Sequence, residues 1–429
     1  GVFSFVLYDK KRDQIMVARD PYGVRPLYIC HYKDDKIGFC SDIAPLLFDE
    51  NIKSIQQFKP GTYAIYKKKE EKYVNIFQEQ YYYNLSYIIN EVKPIEYYMY
   101  ELVHNLKKII YKRVENCERE IASLLSGGLD SSIVSAYVCK FYKEKKGIEL
   151  ETYSIGLENG TDLEYASMVA NHIDSNHTEV ICTNEEFIDS IPDVIKDIES
   201  YDTTTVRASV GNWNIAKYIK KHSDVKVIFN GDGADELMGG YMYFHKAPND
   251  EEFHKECLHL LSNISYFDVL RSDKSISSHG LEPRTPFLDR EFTKFYLSIP
   301  IEYRNHNNEK KCEKYLIRKA IELYDSNLLP HEVLWRKKEA FSDGVSSLSK
   351  SWFEIINESL DSSGNDLNDC VENYNNPTTN EQIYYRNTFH KFFPNCDKLI
   401  PYFWMPKYVN ATDASARTLN IYNDINYHE

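Results

Sequence analysis

Short apolar runs bounded by turn residues fill the first 85 positions. Residues 2–8 read as a strand, 9–13 as a charged turn and 14–19 as the returning strand. Residues 26–30 and 37–40 predict a second hairpin that turns at Lys33, Asp34 and Asp35, and 61–66 predict one more strand. This is antiparallel sheet, and strands this apolar need partners to cover them. With no Met and no leading loop at Gly1, the natural protein is expected to start earlier. The period then changes. Met99, Leu102, Leu106, Ile109, Ile110 and Val114 form a helical stripe with charged residues between them.

From Ile121 onward strands alternate with helices. Strands are predicted at 121–125, 152–157, 178–182 and 225–229, and helices from the low 130s to about 145 and at 162–172, 185–199 and 207–221. That alternation predicts an α/β fold whose parallel sheet is covered on both faces, with ligands beyond the carboxyl ends of the strands. Downstream of about residue 250 the pattern is mostly helical, and 359–380, rich in Asn, Asp and Ser, reads as a mobile loop. A polar stretch gives the division into 1–85, a linker at 86–94 and a second domain at 95–429.

Composition narrows the function classes. Hydrophobic content of 42% supports real cores, and a net charge of −14 argues against a nucleic-acid binder. The nine cysteines are scattered without a Cys-x-x-Cys pair, which suits neither a zinc site nor a disulfide scaffold. With no signal peptide and no long apolar run, the expectation is reduced thiols in the cytoplasm and no membrane span.

The chemistry concentrates where a strand, a glycine turn and a helix meet, at Ser126-Gly127-Gly128-Leu129-Asp130-Ser131-Ser132. Such a junction aims backbone N–H groups and a helix N-terminus at an anion, and glycine lets the chain approach it closely. The serines add hydroxyl donors, and Asp130 is placed to hold a metal ion between phosphates. No Gly-x-x-x-x-Gly-Lys-Ser/Thr occurs, so this is not the usual P-loop. It looks like the pyrophosphate loop of enzymes that split ATP to AMP and pyrophosphate.

Four further stretches bear on the site. Thr203, Thr204, Thr205 and Arg207 suit a small carboxylate ligand, or else a helix N-cap beside a surface arginine. Asn230-Gly231-Asp232-Gly233-Ala234-Asp235-Glu236 crowds three acids into a glycine turn, which calls for a cation. Arg284, between prolines, suits a phosphate or a structural ion pair equally. In Trp335-Arg336-Lys337-Lys338, one lysine is placed to reach phosphates.

Two resemblances follow from these motifs. Residues 1–5 and Arg19-Asp20-Pro21-Tyr22-Gly23-Val24-Arg25-Pro26-Leu27-Tyr28 look like the rear part of an N-terminal-nucleophile glutaminase domain. The family's nucleophilic cysteine has no match here, and Cys30 and Cys40 read as core thiols, so this chain is not expected to hydrolyse glutamine. The later motifs, with Tyr243-Phe244-His245-Lys246-Ala247-Pro248, Trp404-Met405-Pro406-Lys407 and residues 410–419, resemble the glutamine-hydrolysing asparagine synthetases of the eukaryotic branch.

The asparagine synthetase resemblance implies an ATP-pyrophosphatase synthetase domain that converts aspartate to asparagine through β-aspartyl-AMP. Nitrogen would come from glutamine in the complete protein and from free ammonia in this chain. Ser126, Gly127, Gly128, Leu129, Asp130, Ser131 and Ser132 would hold the pyrophosphate part of ATP. Leu124, Ile155, Asn230 and Gly231 would line the adenosine site. Asp130 and Asp235 would bind Mg²⁺, and Thr204, Thr205 and Arg207 would position aspartate. Lys338 would steady charge on the α-phosphate, and Asp232 would assist the intermediate. The family's turn reads Ser-Gly-Glu-Gly-Ser-Asp-Glu, so Asn230, Asp232 and Ala234 depart from it. Asp232 falls one C–C bond, about 1.5 Å, short of the family's Glu. Partners would be these small molecules, with a homodimer left open. A β-lactam synthetase-like enzyme and a non-catalytic nucleotide-binding remnant are the rival readings.

Overall fold

In a computed structural model the described residues are 1–70, 72–80, 92–309, 311–363 and 374–419. The N-terminal part forms two antiparallel sheets. One has the order β1 (Ser4–Asp9), β2 (Gln14–Arg19), β6 (Thr62–Lys69) and β7 (Lys72–Gln80); the other joins β4 (Ile37–Cys40), β3 (Tyr28–Tyr32) and β5 (Ile52–Gln57). Both hairpins and the third strand were legible. β5 and β7 were not, because Lys, Ser, Gln and Glu interrupt their apolar runs.

The Arg19–Tyr28 motif is a folding device. Arg19 is fully buried and donates to the carbonyls of Gly23 (2.8 Å), Arg25 (2.9 Å) and Phe58 (2.8 Å). Asp20 accepts from the N–H groups of Tyr22, Val24 and Arg25 at 3.0–3.1 Å. The turn so made presents Arg25 to Asp273 and Glu282, fastening this part to the rest of the chain. Cys30 is fully buried, and burial pushes its thiol up, as befits a core residue.

Helix α1 (Ile95–Glu115) carries the predicted stripe, every member of which is buried. Then come β8 (Ile121–Leu124), α2 (Leu129–Lys146), β9 (Glu151–Leu157), α3 (Thr161–Ile173), β10 (Asn176–Cys182), α4 (Asn184–Ile198), α5 (Thr203–His222), β11 (Val227–Phe229) and α6 (Ala234–Met238). Helices α7 (Asp250–Asn263) and α8 (Asp268–Ser277) follow, and β12 (Glu282–Arg284) closes a five-stranded, all-parallel sheet of order β10-β9-β8-β11-β12. Residues 282–284 supply the edge strand, where a proline is tolerated, and Arg284, left between a phosphate and an ion pair by the sequence, pairs with Glu282. Helix α5 begins four residues before the predicted start, because Asp202 caps it by accepting from the Thr205 N–H at 2.9 Å. Residues 359–363 end a helix, Trp352–Ser363. The rest of the predicted mobile loop as far as residue 373, and the predicted linker except 92–94, lie outside the described residues. No helix among the described residues is long and apolar enough to cross a membrane.

Chain order runs from β8 out to β9 and β10 on one side, and from β11 to β12 on the other. The order therefore reverses between β8 and β11, whose carboxyl ends open the crevice where such sheets bind ligands.

Candidate active site

Both glycine turns sit at that reversal. Residues 125–128 leave β8 and enter α2, which starts after Gly128 with no side-chain cap, so its first N–H groups face the crevice. The turn is tied to itself. Ser126 Oγ and Ser131 Oγ are 3.0 Å apart, the Ser126 N–H donates to Ser131 Oγ at 3.2 Å, and Ser131 Oγ donates to the Gly128 carbonyl at 3.1 Å. Gly127 has φ +73, and a Cβ there would lie 2.5 Å from the backbone nitrogen of Ala166 on α3. Asn230 leaves β11; its N–H donates to the Arg284 carbonyl at 3.1 Å and its Nδ2 to Ser272 Oγ at 2.8 Å. Gly231 lets the two turns touch, since a Cβ there would lie 2.7 Å from Ser131 N and 2.8 Å from the Asp130 carbonyl carbon.

Asp130 and Asp235 project from the two turns toward each other with a lysine between them. Lys314 Nζ is 2.6 Å from Asp130 Oδ2 and 2.6 Å from Asp235 Oδ1, while Lys338 Nζ is 2.7 Å from Asp235 Oδ2. Burial raises the Asp130 carboxyl against the pull of Lys314, and the Asp235 charge adds to the rise. Burial would raise Asp235 too, but Lys314 and Lys338 override it and hold that carboxyl low. Burial would lower Lys338, but Asp235 and Asp130 hold its ammonium charged well beyond neutral pH. A permanent positive charge in a crevice can stabilise negative charge spreading over a phosphate.

Behind the acidic turn, Arg271 on α8 donates to Asp232 Oδ1 and Asp268 Oδ1, both at 3.0 Å. Glu236 is fully buried beside Asp268 and bonded by the Tyr241 hydroxyl; burial first, then the Asp268 charge, pushes its carboxyl far up. The mouth is framed by Leu124, Ile155, Asp202, Thr204, Thr205, Trp404 and Lys337. Thr204 Oγ1 is buried and has no hydrogen-bond partner.

Of the predicted residues, the crevice gathers Leu124, Ser126, Gly128, Leu129, Asp130, Ser131, Ile155, Thr204, Thr205, Asn230, Gly231, Asp232, Asp235 and Lys338. Gly127 and Ser132 lie behind the turn rather than on its surface. Arg207 departs from expectation. It is 4% exposed and turned away from the crevice, with Nε and Nη1 at 2.8 Å from Glu381 and Asp413 and Nη2 at 2.5 Å and 2.8 Å from the same two carboxylates. Each nitrogen of its fork is bonded to one of these carboxylates, which ties α5 to the C-terminal segment behind Thr204 and Thr205. Sequence reasoning missed Lys314, Arg271 and Asp268. Asp268 and Arg271 have helical i, i+3 spacing, which signals an ion pair but no direction. Lys314, in a stretch without glycine, carries no local signal.

Two facing carboxylates are a sound start for a hard divalent cation, which takes oxygen ligands and accepts phosphate oxygens for the rest. Asp130 Oδ1 is buried and has no hydrogen-bond partner. The donor set fits Mg²⁺.

Comparisons with known proteins agree with this geometry. A family profile described as asparagine synthase matches residues 101–252 and 246–416, and a glutamine amidotransferase domain profile matches residues 1–57. Among curated relatives, the glutamine-hydrolysing asparagine synthetase of Gallus gallus is 42% identical over 442 residues, covering 98% of this chain and 78% of that protein. The enzyme of the same name from Homo sapiens is 41% identical over 441 residues with the same coverage. Among solved structures, an NH₃-dependent NAD synthetase from Campylobacter jejuni is 17% identical and covers 53% of this chain and 94% of its own, with a TM-score of 0.25, too low to carry an argument.

Proposed function

The chain belongs to the asparagine synthase family, and on that premise we propose that it is a carbon–nitrogen ligase making L-asparagine from L-aspartate and ATP. A free carboxylate is a poor acyl donor. The β-carboxylate of aspartate therefore attacks the α-phosphate of ATP, giving β-aspartyl-AMP and pyrophosphate, and ammonia then attacks the acyl carbon and displaces AMP. The observation that carries this reading is the pairing of two glycine turns at the sheet's reversal point, with Lys338 set against their carboxylates.

Each residue's part follows from its place. The N–H groups opening α2, with Ser126 and Ser131, take the pyrophosphate portion. Leu124, Ile155, Asn230 and Gly231 form the adenosine wall, and Thr204 and Thr205 hold aspartate. Lys338 steadies the charge that builds on the α-phosphate. Asp232, held by Arg271, assists the intermediate, its shorter reach met by a shift of its loop. Asp130 and Asp235 would hold Mg²⁺, which supplies Lewis-acid stabilisation of phosphate charge. Arg207 ties α5 to Glu381 and Asp413 behind the aspartate-binding turn and serves stability.

We further propose that 1–85 is part of a glutamine amidotransferase domain, 86–94 a linker and 95–429 the synthetase domain. The likeness of residues 1–57 to amidotransferase domains supports glutamine as the nitrogen source. The free cysteines among the described residues suit a reducing cytoplasm.

Pyrophosphate release in the presence of ATP, Mg²⁺, aspartate and ammonium tests the reading. Release is expected to require aspartate, and Lys338→Ala is expected to slow it about 10²–10³-fold with folding unchanged. Release that ignores aspartate would contradict the proposal.

A further inference from the structure

Lys314 is the crevice group that neither glycine turn explains. Its side chain is 1% exposed, and its Nζ takes one oxygen from each turn, Asp130 Oδ2 and Asp235 Oδ1, at 2.6 Å. It stands at the N-cap of the helix Tyr315–Tyr324 with φ 56 and ψ 26, a left-handed conformation that non-glycine residues adopt sparingly. The surroundings enforce the pose. Arg318 donates to the Glu313 carbonyl at 3.0 Å and to the Leu334 carbonyl at 2.5 Å, pinning the segment before the helix. Gly240 leaves room for the side chain: a Cβ there would lie 2.5 Å from Lys314 Cε and would collide with Asp235 Oδ1.

The ammonium thus stands between the two carboxylates that a divalent ion would have to share. Monovalent lysine and divalent metal cannot both hold the same pair of oxygens at bonding distance. We propose that Lys314 is the resident counter-ion of the metal site: it keeps Asp130 and Asp235 together before nucleotide arrives, and because the lysines take both oxygens of Asp235 while Asp130 Oδ1 stays open, it competes with a divalent cation for Asp235. This rests on the nucleotide–metal reading above and adds a consequence. The metal alone meets a competitor tethered in place. The metal with a nucleotide does not, because phosphate oxygens supply ligands for the ion and a new anionic partner for the ammonium. Lys314 thereby makes metal binding conditional on nucleotide, a coupling of the usual 5–150-fold size for linked ligands.

The test is Mn²⁺ binding to the 429-residue chain, read from the electron paramagnetic resonance of free Mn²⁺, with and without α,β-methylene-ATP. Wild type is expected to bind Mn²⁺ weakly alone and tighter with the analogue. Lys314→Met, which keeps the bulk and removes the charge, is expected to bind Mn²⁺ alone about 10–100-fold tighter than wild type, with the gain from nucleotide shrinking to match. No gain in Lys314→Met overturns the proposal. If that variant does not fold by circular dichroism, Lys314→Gln is read the same way. Wild type that binds Mn²⁺ alone as tightly as with the analogue overturns it without any variant. Aspartate-dependent pyrophosphate release is measured separately, so its absence would strike the proposed function and leave this result standing.

Discussion

The turn of residues 126–132 and the acidic turn of residues 231–236 face each other across one crevice, yet they are built in opposite ways. The first closes largely on itself: its serine hydroxyls and backbone groups bond to one another within five residues, with the Lys314–Asp130 pair as its remote tie. The second is held from a distance. Arg271 reaches Asp232 across 39 residues of sequence, Ser272 reaches Asn230 across 42, and Lys338 reaches Asp235 across 103. A loop that carries its own bonds needs only a strand and a helix at its ends. A loop held by remote charges works only once the whole domain has packed. The first half is therefore a local motif, and the second is a product of tertiary structure.

That contrast predicts where damage will be greatest. Arg207, on α5, is likewise held from a distance, by Glu381 and Asp413. Arg207→Ala leaves Glu381 and Asp413 without their buried cation, and removing one member of a buried ion pair typically costs about 3–5 kcal/mol. Urea unfolding should show that loss, with the KM for aspartate little changed in whatever protein remains folded; a large KM effect with full stability would restore Arg207 to the substrate site. Next is the seam between the halves. Gly231→Ala drives a Cβ against Ser131 N and the Asp130 backbone, so the turns must part. A misplacement of about 1 Å can cost ~10²-fold in rate, and kcat for pyrophosphate release should fall by that order.

Two smaller effects sharpen the comparison. His306 is fully buried near the start of the segment that leads to Lys314. Burial first, then His245 and Arg318, hold its folded pKa well below the usual histidine value. A base with a depressed folded pKa contributes stability above its unfolded pKa, about 6.5, and loses it as pH falls below that value. Burial pushes Asp162, Asp202 and Asp273 up to about 6, which acts with the opposite sign in the same window. Comparing wild type with His306→Asn cancels those carboxyls. The difference in unfolding free energy should shrink by up to about 1.4 kcal/mol per pH unit below 6.5. A difference independent of pH would show that His306 does not titrate. Smallest is Ser131→Ala in the local half, which removes hydroxyl bonds that glycine geometry and α2 partly replace. A stability loss near 1 kcal/mol is expected in thermal unfolding, and a loss as large as that of Arg207→Ala would erase the distinction between the halves.

The same distinction explains what could be read from the chain. The Ser126–Ser132 turn, the alternating strands and helices, and the stripe of α1 were legible because each is encoded within a few residues. Lys338 and Thr204 were legible only through their motifs. Lys314 was not, since its neighbours Glu313 and Tyr315 give no hint that the backbone turns left-handed there and feeds an ammonium between two distant aspartates. Arg207 misled for the mirror reason. An arginine beside threonines suggests a ligand, and only the fold reveals that Glu381 and Asp413 hold it from behind. β5 and β7 escaped because polar residues interrupt their apolar runs.

The central claim is that the two turns cooperate to place the β-carboxylate of aspartate against the α-phosphate of ATP. Aspartate carrying heavy oxygen in that carboxylate, turned over with ATP, Mg²⁺ and ammonium, tests it directly by mass spectrometry. The account predicts one labelled oxygen in AMP, equal in amount to the asparagine formed, and none in pyrophosphate. Unlabelled AMP, or label in pyrophosphate, would contradict it.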